Sequence, residues 1–440
     1  MTSECPNVPQ VLPHPSAPIT LEDTGLSLDL LLQLTLKHLH FAGELTGSEL
    51  ARRLGLRFSA IEPAVHALKS QHQIAIIGGA MLGPASYRYR ITDSGRTRVT
   101  IFLEHNQYVG LAPVPMSTYI AYLREWKKKA PHSATRDRVR GAFGHLVVGQ
   151  RVLDQLGPAI NAGHSLFVYG PPGNGKSVIS QAIRNLLDGD IAIPYALEVE
   201  GQIVRLFDPV NHDEITLPEG DGLADDAAPD RRWMRCRRPL VTVGGELTLE
   251  SLELSYNATS GFYHAPVQAI ANGGVLVIDD FGRQQVEPRQ FLNRWIVPLE
   301  SRVDYLSLQT GQKFELPFAV LLVFATNLQP STLVDEAFLR RIHYKVQAES
   351  PTVQEFREIF RGYCQKCDVP YHDGLVTDLL QGFYKPRGIA LRGCQPRDLI
   401  EQALSLAEYL GEPRRLTNEL LHAACEGYFV VDEEQAPVYA

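Results

Sequence analysis

The chain has no long apolar run. Among its 440 residues, apolar stretches such as Phe318 to Ala325 are only strand-sized, whereas a membrane-spanning helix needs about 20 consecutive apolar residues. Residues 1–20 are rich in proline and contain neither a basic segment nor an apolar core, so they do not resemble a signal peptide. We therefore expect a disordered tail over residues 1–20, no membrane span and a cytoplasmic location.

Cysteine is also scarce. Six scattered cysteines in a chain of this length are not a disulfide framework, which favours a reducing compartment. Cys364 and Cys367 have the spacing of two metal ligands, but one such pair without a second is a weak zinc signal. The formal net charge of -8 argues against a chain that coats nucleic acid along its length. A length of 440 residues is sufficient for two or three domains, each with its own core.

The first domain is predicted over residues 21–110. Its periodicity and turn signals indicate helices followed by a two-stranded hairpin, with Thr46 or Ser48 as the cap of the second helix. This order resembles a winged helix-turn-helix domain. The predicted segments are Leu26–His40, Thr46–Leu56, Phe58–Gln71, Ile74–Gly79 and Ser86–Thr92.

Two uses of this domain are open from the sequence. Winged helix-turn-helix domains usually bind DNA through the second helix of the motif. Here that helix carries Lys69 and Glu62 and is poor in the Arg, Asn and Gln that read bases, whereas the hairpin carries Arg88 and Arg90. Both uses of the domain, the binding of DNA and the docking of a protein, are therefore open. Residues 111–140 are predicted to be a linker with a charged helix.

A phosphate-binding loop follows the short apolar strand Ser165 to Tyr169. The next eight residues match the pattern G-x-x-x-x-G-K-[ST], and a helical pattern comes directly after them. Backbone N–H groups of such a loop surround the phosphates of ATP, Lys176 neutralises them, and Ser177 ligates Mg²⁺. The eight predicted nucleotide-binding residues are Gly170, Pro171, Pro172, Gly173, Asn174, Gly175, Lys176 and Ser177.

Two adjacent carboxylates end another apolar strand, Val275 to Ile278. Given the phosphate-binding loop, Asp279 is expected to hold the Mg²⁺ shell and Asp280 to orient or deprotonate the attacking water. A later apolar strand ends at Asn327, which is expected to face the γ-phosphate.

The order and spacing of these motifs over residues 141–430 resemble the AAA+ ATPase family. The resemblance implies an α/β fold, in which a parallel sheet lies between helices and is followed by an α-helical lid. It makes Asn327 the sensor 1 residue, Arg340 or Arg341 the arginine finger acting on a neighbouring subunit, and Arg397 the sensor 2 residue of the lid. It also places Val148 and Gly149 beside adenine. A hexameric ring and the cofactors ATP and Mg²⁺ are implied. The predicted domains are 1–20, 21–110, 111–140, 141–348 and 349–440.

The branch of the family is left open. Members usually carry Glu where this chain has Asp280, and an Asp resembles the initiator and helicase-loader branch. The stretch around Gly261 to Arg283 and a predicted hairpin over Val303–Phe318 resemble the branch of the enhancer-binding activators and MoxR-type chaperones. Residues Ala196–Phe207 are expected to form a strand pair and Leu217–Arg232 an exposed loop.

Three functions follow from these patterns. The first is a ring ATPase that remodels a protein client recruited by the winged-helix domain. The second is a DNA-binding regulator or loader controlled by ATP. The third is a scaffold that binds ATP but hydrolyses it very slowly. Phe262 and Tyr263 are either pore residues that grip a client or core aromatics, and the core is favoured.

Overall fold

The computed structural model describes residues 14–79, 83–129, 134–144, 146–216, 228–333 and 336–429. The helices are α1 (Leu21–Thr24), α2 (Leu28–Ala42), α3 (Gly47–Leu54), α4 (Phe58–Ser70), α5 (Asp93–His105), α6 (Met116–Lys129), α7 (Arg136–Ala142), α8 (Gln150–Ala162), α9 (Lys176–Ala182), α10 (Val267–Ile270), α11 (Pro288–Ser301), α12 (Pro330–Leu333), α13 (Glu336–Leu339), α14 (Val353–Lys366), α15 (Asp373–Leu379), α16 (Gln395–Leu410) and α17 (Asn418–Tyr428). No helix in this part of the chain is long and apolar enough to cross a membrane.

The strands are short. They are β1 (Glu44–Thr46), β2 (Ile74–Gly79), β3 (Tyr87–Ile91), β4 (Val114–Pro115), β5 (Leu166–Tyr169), β6 (Asp190–Pro194), β7 (Ala196–Val199), β8 (Gln202–Arg205), β9 (Trp233–Arg237), β10 (Leu240–Val243), β11 (Ser255–Asn257), β12 (Phe262–His264), β13 (Val275–Ile278), β14 (Val303–Ser307), β15 (Lys313–Pro317), β16 (Leu321–Thr326) and β17 (Tyr344–Gln347).

A five-stranded sheet carries the predicted ATPase motifs. Its order is β10-β13-β16-β5-β17, and β16 and β17 run parallel to β5 on its two sides. Strands β13 and β16 are buried throughout, and such apolar runs are typical of parallel strands covered on both faces. The predicted α/β class, with a parallel sheet between helices, is confirmed.

The chain divides into two compact units. One comprises Met1–His132, Leu187–Val277 and Gln284–Leu322, and the other Ser133–Leu186, Ile278–Arg283 and Val323–Ala440. The division follows contacts rather than chain order and does not test the predicted domain boundaries. Those boundaries therefore stay a prediction.

The first unit begins with the predicted helices and hairpin. Strands β1, β3 and β2 form an antiparallel sheet in that order. Thr46 caps α3, and its hydroxyl and the Glu49 carboxylate each bond the other residue's backbone N–H. Of the two predicted caps, Thr46 is thus the correct one. The order of elements matches the prediction, while the name winged helix stays a prediction.

A second five-stranded sheet shares the core of this N-terminal part. Its order is β11-β12-β8-β7-β4, and Ala196 of β7 and Ile203 of β8 belong to the same buried cluster as the leucines of α2. Two backbone bonds add to this packing: Ala112 N–H donates to Leu54 O at 2.8 Å, and Gln107 N–H donates to Ser260 O at 2.7 Å. Residues on both sides of position 110 therefore contribute to one buried cluster.

Both predicted strand pairs are confirmed. β7 and β8 are antiparallel, and the turn residues Glu200 and Gly201 have φ values of 49° and 78°. β14 and β15 form the hairpin before β16. At its tip, the backbone N–H of Gln309 donates to the Tyr263 hydroxyl at 3.0 Å. Tyr263 is 2% exposed, which confirms the core interpretation of this residue, while Phe262 is half-buried.

The predicted exposed loop Leu217–Arg232 is wrong at its C-terminal end, and residues 217–227 lie outside the described residues. Asp230 and Arg232 are buried and form an ion pair with Nη2 2.9 Å from Oδ2. The guanidinium also donates to the carbonyl oxygens of Thr24 and Pro113. Burial is possible because the charge is paired and hydrogen-bonded.

Lys37 on α2 is a buried cation. Its ammonium is buried and donates to the carbonyl oxygen of Asn106, and burial lowers the pKa of Lys37 to about 8. The unfolded chain has a lysine pKa of about 10.4. Between these values the unfolded state binds more protons, so the free energy of unfolding contributed by this residue rises with pH.

We expect Lys37→Met to remove that rise and to stabilise the protein at pH 7 by about 3 kcal/mol. Urea unfolding at neutral and alkaline pH measures both effects. Lys128→Met is the matched control, because Lys128 is exposed and paired with Glu125. A Lys37→Met profile that parallels the wild type at every pH would contradict the assignment.

Candidate nucleotide site

Three glycines shape the loop after β5. Gly170, Gly173 and Gly175 have φ values of 144°, 79° and 72°, a region that favours glycine. A Cβ on Gly170 would lie 2.4 Å from Ala348 O, so this position also has no space for a side chain. Loops of this kind turn successive N–H groups toward one concave side, which binds anions. Pro171 is half-buried and Pro172 exposed.

Lys176 is buried at the start of α9. Its ammonium donates to Gly170 O at 3.1 Å, Pro171 O at 2.9 Å and Asn327 Oδ1 at 2.6 Å. These oxygens satisfy its donors although the residue is only 7% exposed. The ammonium thus lies against the loop and beside the end of β16.

The pKa of Lys176 is lowered, chiefly by burial. The carboxylates of Asp280 and Asp279 oppose this shift, and the guanidinium groups of Arg392 and Arg283 add to it. Two carboxylates and two guanidinium groups therefore act on the Lys176 ammonium. Burial disfavours the charged ammonium, and the two carboxylates partly offset that effect.

Asp280 has an unusual backbone conformation. Its φ is 48°, a left-handed value that Asp and Asn adopt more readily than other non-glycine residues. The N–H of Asp280 donates to Asp279 Oδ1 at 2.9 Å. On the far side of the turn, Phe281 N–H donates to Ala325 O at 2.8 Å, and Thr326 Oγ1 donates to Phe281 O at 2.7 Å. The turn that carries both acids is therefore fixed to β16.

Asn327 connects the two motifs. Its Oδ1 accepts the hydrogen bond from Lys176, and its Nδ2 donates to Asp280 Oδ1 at 2.9 Å. Both ends of the amide are used, which sets the orientation of the side chain. The structure thus brings together Lys176, Asp280 and Asn327, with Asp279 bonded to the backbone of Asp280.

The other predicted nucleotide-binding residues lie in two segments, one at the start of α9 and one before α8. Ser177 is half-buried in the first turn of α9, and Val148 and Gly149 are half-buried immediately before α8. Asn174 accepts a hydrogen bond from Gly393 N–H at 3.3 Å, and its Nδ2 lies 3.4 Å from Ala348 O. Asn174 therefore joins the loop to two other segments of the same unit.

The predicted arginines are placed differently. Arg340 and Arg341 follow α13, where Arg341 N–H donates to Phe338 O at 2.9 Å, and their role in a neighbouring subunit stays a prediction. Arg397 forms an ion pair with the adjacent Asp398, with Nη2 2.7 Å from Oδ1. Tyr428 donates to the other oxygen of Asp398 at 3.1 Å.

Sequence reasoning missed two arginines whose charge acts on Lys176. Arg283 lies three residues after Asp280, and its N–H donates to Asp280 O at 3.0 Å, so its position in the motif was an available signal. Arg392 has no comparable signal, because a motif-free loop of residues 391–394 places it there. Only the folded chain identifies it.

The side chains present fit ATP and Mg²⁺. Magnesium prefers oxygen ligands, keeps several waters and needs only one or two protein carboxylates. Ser177 and Asp279 supply a hydroxyl and a carboxylate, and Lys176 supplies a cation for phosphate. Within the described ranges, no group of three or more His, Cys, Asp or Glu side chains could hold a metal by itself. Cys364 and Cys367 therefore belong to no such group.

Comparisons with known proteins leave the family open. A family model described as a domain of unknown function, DUF8689, matches residues 352–427, and no curated protein matches the chain. The RuvB Holliday junction branch migration motor of Thermotoga maritima is 15% identical, covers 64% of this chain and 70% of its own, and has a TM-score of 0.37. NtrX of Brucella abortus is 14% identical, covers 69% of this chain and 58% of its own, and has a TM-score of 0.37. Likeness at this level does not extend to function.

Proposed function

We propose that this chain is a magnesium-dependent ATPase of the AAA+ kind, which hydrolyses ATP to ADP and phosphate. The observation that carries the proposal is the hydrogen-bonded series Lys176–Asn327–Asp280. Three motifs separated in sequence meet there, and each supplies a side chain that hydrolysis of the β–γ phosphoanhydride of ATP needs.

Each residue of the site has a distinct role in this proposal. Lys176 and the backbone N–H groups of residues 173–177 bind the phosphates. Ser177 and Asp279 hold Mg²⁺, which when bound neutralises charge on the phosphate oxygens. Asp280 orients the attacking water and accepts its proton, and Asn327 keeps the Asp280 carboxylate in place. Val148 and Gly149 contact the adenine.

Phosphate release by the full chain tests the proposal. We expect steady release from ATP in the presence of Mg²⁺ and its loss when a chelator removes the metal. Binding of a fluorescent ATP analogue, measured in parallel, separates binding from hydrolysis. A folded chain that neither binds nor hydrolyses ATP would contradict the proposed function.

The proposed biological work is the remodelling of a protein client. A ring, proposed to be a hexamer, would let Arg340 or Arg341 act on the nucleotide of the neighbouring subunit, and the N-terminal region would recruit the client. The alternative is a DNA-binding regulator or loader. Two features of the N-terminal region favour the protein client.

The first feature is the surface of α4. Its exposed face carries Glu62, Pro63, His66 and Lys69, which is a poor set for reading bases. At the start of this helix, the hydroxyl of Ser59 donates to Ile19 O at 2.6 Å. The residues before α1 therefore lie against the end of α4 that would have to enter a major groove.

The second feature is the pairing of the basic residues. Arg88 and Arg90 form ion pairs with Glu44, and Arg98 donates to Gln71 Oε1 at 2.9 Å. Arg88 and Arg90 would have to exchange a carboxylate for a DNA phosphate, and Arg98 an amide oxygen, which reduces the gain from binding DNA.

We therefore expect the full chain to bind random duplex DNA weakly, with a shallow dependence on salt. Fluorescence anisotropy with labelled duplex at several salt concentrations measures this slope. A protein with six or more phosphate contacts loses about a thousandfold in affinity between low and physiological salt. Such a steep slope, lost in Arg88→Ala and Arg90→Ala, would instead support the DNA-binding alternative.

A further inference from the structure

The loop of residues 391–394, here called the lid loop, lies directly on the phosphate-binding loop. Cys394 N–H donates to Gly173 O at 2.8 Å, and Gly393 N–H donates to the Asn174 side chain at 3.3 Å. Two consecutive peptide groups of the lid loop are therefore bonded to two consecutive residues of the phosphate-binding loop. These bonds fix the backbone position of the neighbouring Arg392.

Gly173 shows how close the approach is. A Cβ on this residue would lie 2.5 Å from the sulfur of Cys394 and 3.6 Å from the Cβ of Arg392. The first distance is shorter than real Cβ contacts allow, so glycine is required here by the lid loop as well as by its φ of 79°. The first side-chain atom of Arg392 therefore lies at the edge of the phosphate-binding loop.

The guanidinium of Arg392 is positioned by a neighbouring hydroxyl. Its Nη1 donates to Ser350 Oγ at 2.7 Å, which occupies one of the five N–H donors of the group. The same Ser350 Oγ lies 3.5 Å from Asn174 Nδ2 of the phosphate-binding loop, so the hydroxyl that holds Arg392 also faces this loop. A cation at this place raises the positive potential where phosphate would bind.

Arg397, which the family resemblance assigns to the lid, has its charge compensated by Asp398 through Nε at 2.8 Å and Nη2 at 2.7 Å. Asp398 in turn is held by Tyr428. For Arg397 to bind phosphate, this ion pair would have to break. Arg392 faces no such cost, because its partner is a neutral hydroxyl.

We propose that Arg392 is a phosphate-binding residue of the nucleotide site, supplied by the lid loop and aligned by Ser350. The inference rests on the proposed function and adds a residue that the motifs do not assign. Since the guanidinium acts on the bound polyphosphate, its removal weakens nucleotide binding more than it slows the chemical step.

The test measures dissociation constants for fluorescent ATP and ADP analogues, together with KM and kcat for ATP, on the full chain. Arg392→Ala is expected to raise the dissociation constant and KM roughly tenfold or more, as for a lost charge-assisted hydrogen bond, with kcat within about threefold. Arg392→Lys recovers part of the loss. Arg361→Ala is the matched control, because Arg361 lies on α14 over the Tyr371 ring and should bind as wild type.

Ser350→Ala gives a second, milder variant, with an expected rise of about threefold that disappears when Arg392 is already alanine. Wild-type nucleotide binding by a folded Arg392→Ala, while Lys176→Ala fails to bind, would overturn this inference and leave the proposed function intact. A greater loss in Arg397→Ala than in Arg392→Ala would also overturn it. Failure of the wild type itself to bind would overturn both.

Discussion

Lys176→Ala is expected to lower nucleotide affinity and ATP hydrolysis by about a hundredfold or more. The ammonium is buried, and its present acceptors are two loop carbonyls and one amide oxygen, so phosphate oxygens can replace neutral acceptors with charged ones. Charge-assisted hydrogen bonds are about twice as strong as neutral ones. Binding of a fluorescent ATP analogue and phosphate release measure the two losses.

The matched control is Lys345→Ala. Lys345 belongs to the same compact unit, and its ammonium also donates to backbone carbonyls, those of Leu339 and Ile342, each at 2.9 Å. This variant loses a similar cation and similar hydrogen bonds away from the phosphate-binding loop, so its nucleotide affinity should equal that of the wild type. Equal affinity in Lys176→Ala and Lys345→Ala would contradict the nucleotide site.

Asp280→Asn is expected to reduce hydrolysis by about 100- to 10,000-fold, the range for loss of a general base, while ATP binding is retained. Asparagine tolerates the left-handed φ of 48° at this position and still offers an oxygen to Asn327 Nδ2. The substitution therefore removes a charge and leaves the local geometry in place. Phosphate release under single-turnover conditions, with a parallel binding measurement, tests both statements.

The same variant decides between an active ATPase and an ATP-gated scaffold. If wild type and Asp280→Asn hydrolyse ATP equally slowly while ATP still drives assembly, the scaffold is supported and Asp280 is not a base. Asp280→Glu adds a second comparison. The longer carboxylate approaches the usual family side chain, but the left-handed backbone costs glutamate about 1 kcal/mol more than aspartate.

The sequence predicted the parts of the site that depend on short segments. The phosphate-binding loop and the acids after β13 are local patterns, and so are the hairpins β7–β8 and β14–β15. What the sequence missed depends on distant contacts. The pairing of β6 with β9 joins residues on opposite sides of a long insertion, and Arg392 lies beside the phosphate-binding loop only because the lid loop folds onto Gly173.

Asp280 shows the same limit on a smaller scale. The departure from Glu was visible in the sequence, yet its backbone angle was not. Neither was the use of Asn327 as a link between Lys176 and Asp280, since side-chain hydrogen bonds depend on how β13, β16 and α9 meet. The predicted exposure of Arg232 failed because its partner Asp230 and the acceptor Thr24 O come together only in the folded unit.

The core shared by the N-terminal helices and the second sheet also limits how this protein can be rearranged by recombination. A gene fragment ending near codon 110 would encode α2 to α5 without Ala196 and Ile203, which cover their leucines. A fragment beginning there would leave β7 and β8 with an uncovered apolar face. The two stretches are thus expected to be inherited together, so a new N-terminal specificity would arise by substitution on the surface rather than by exchange of the domain.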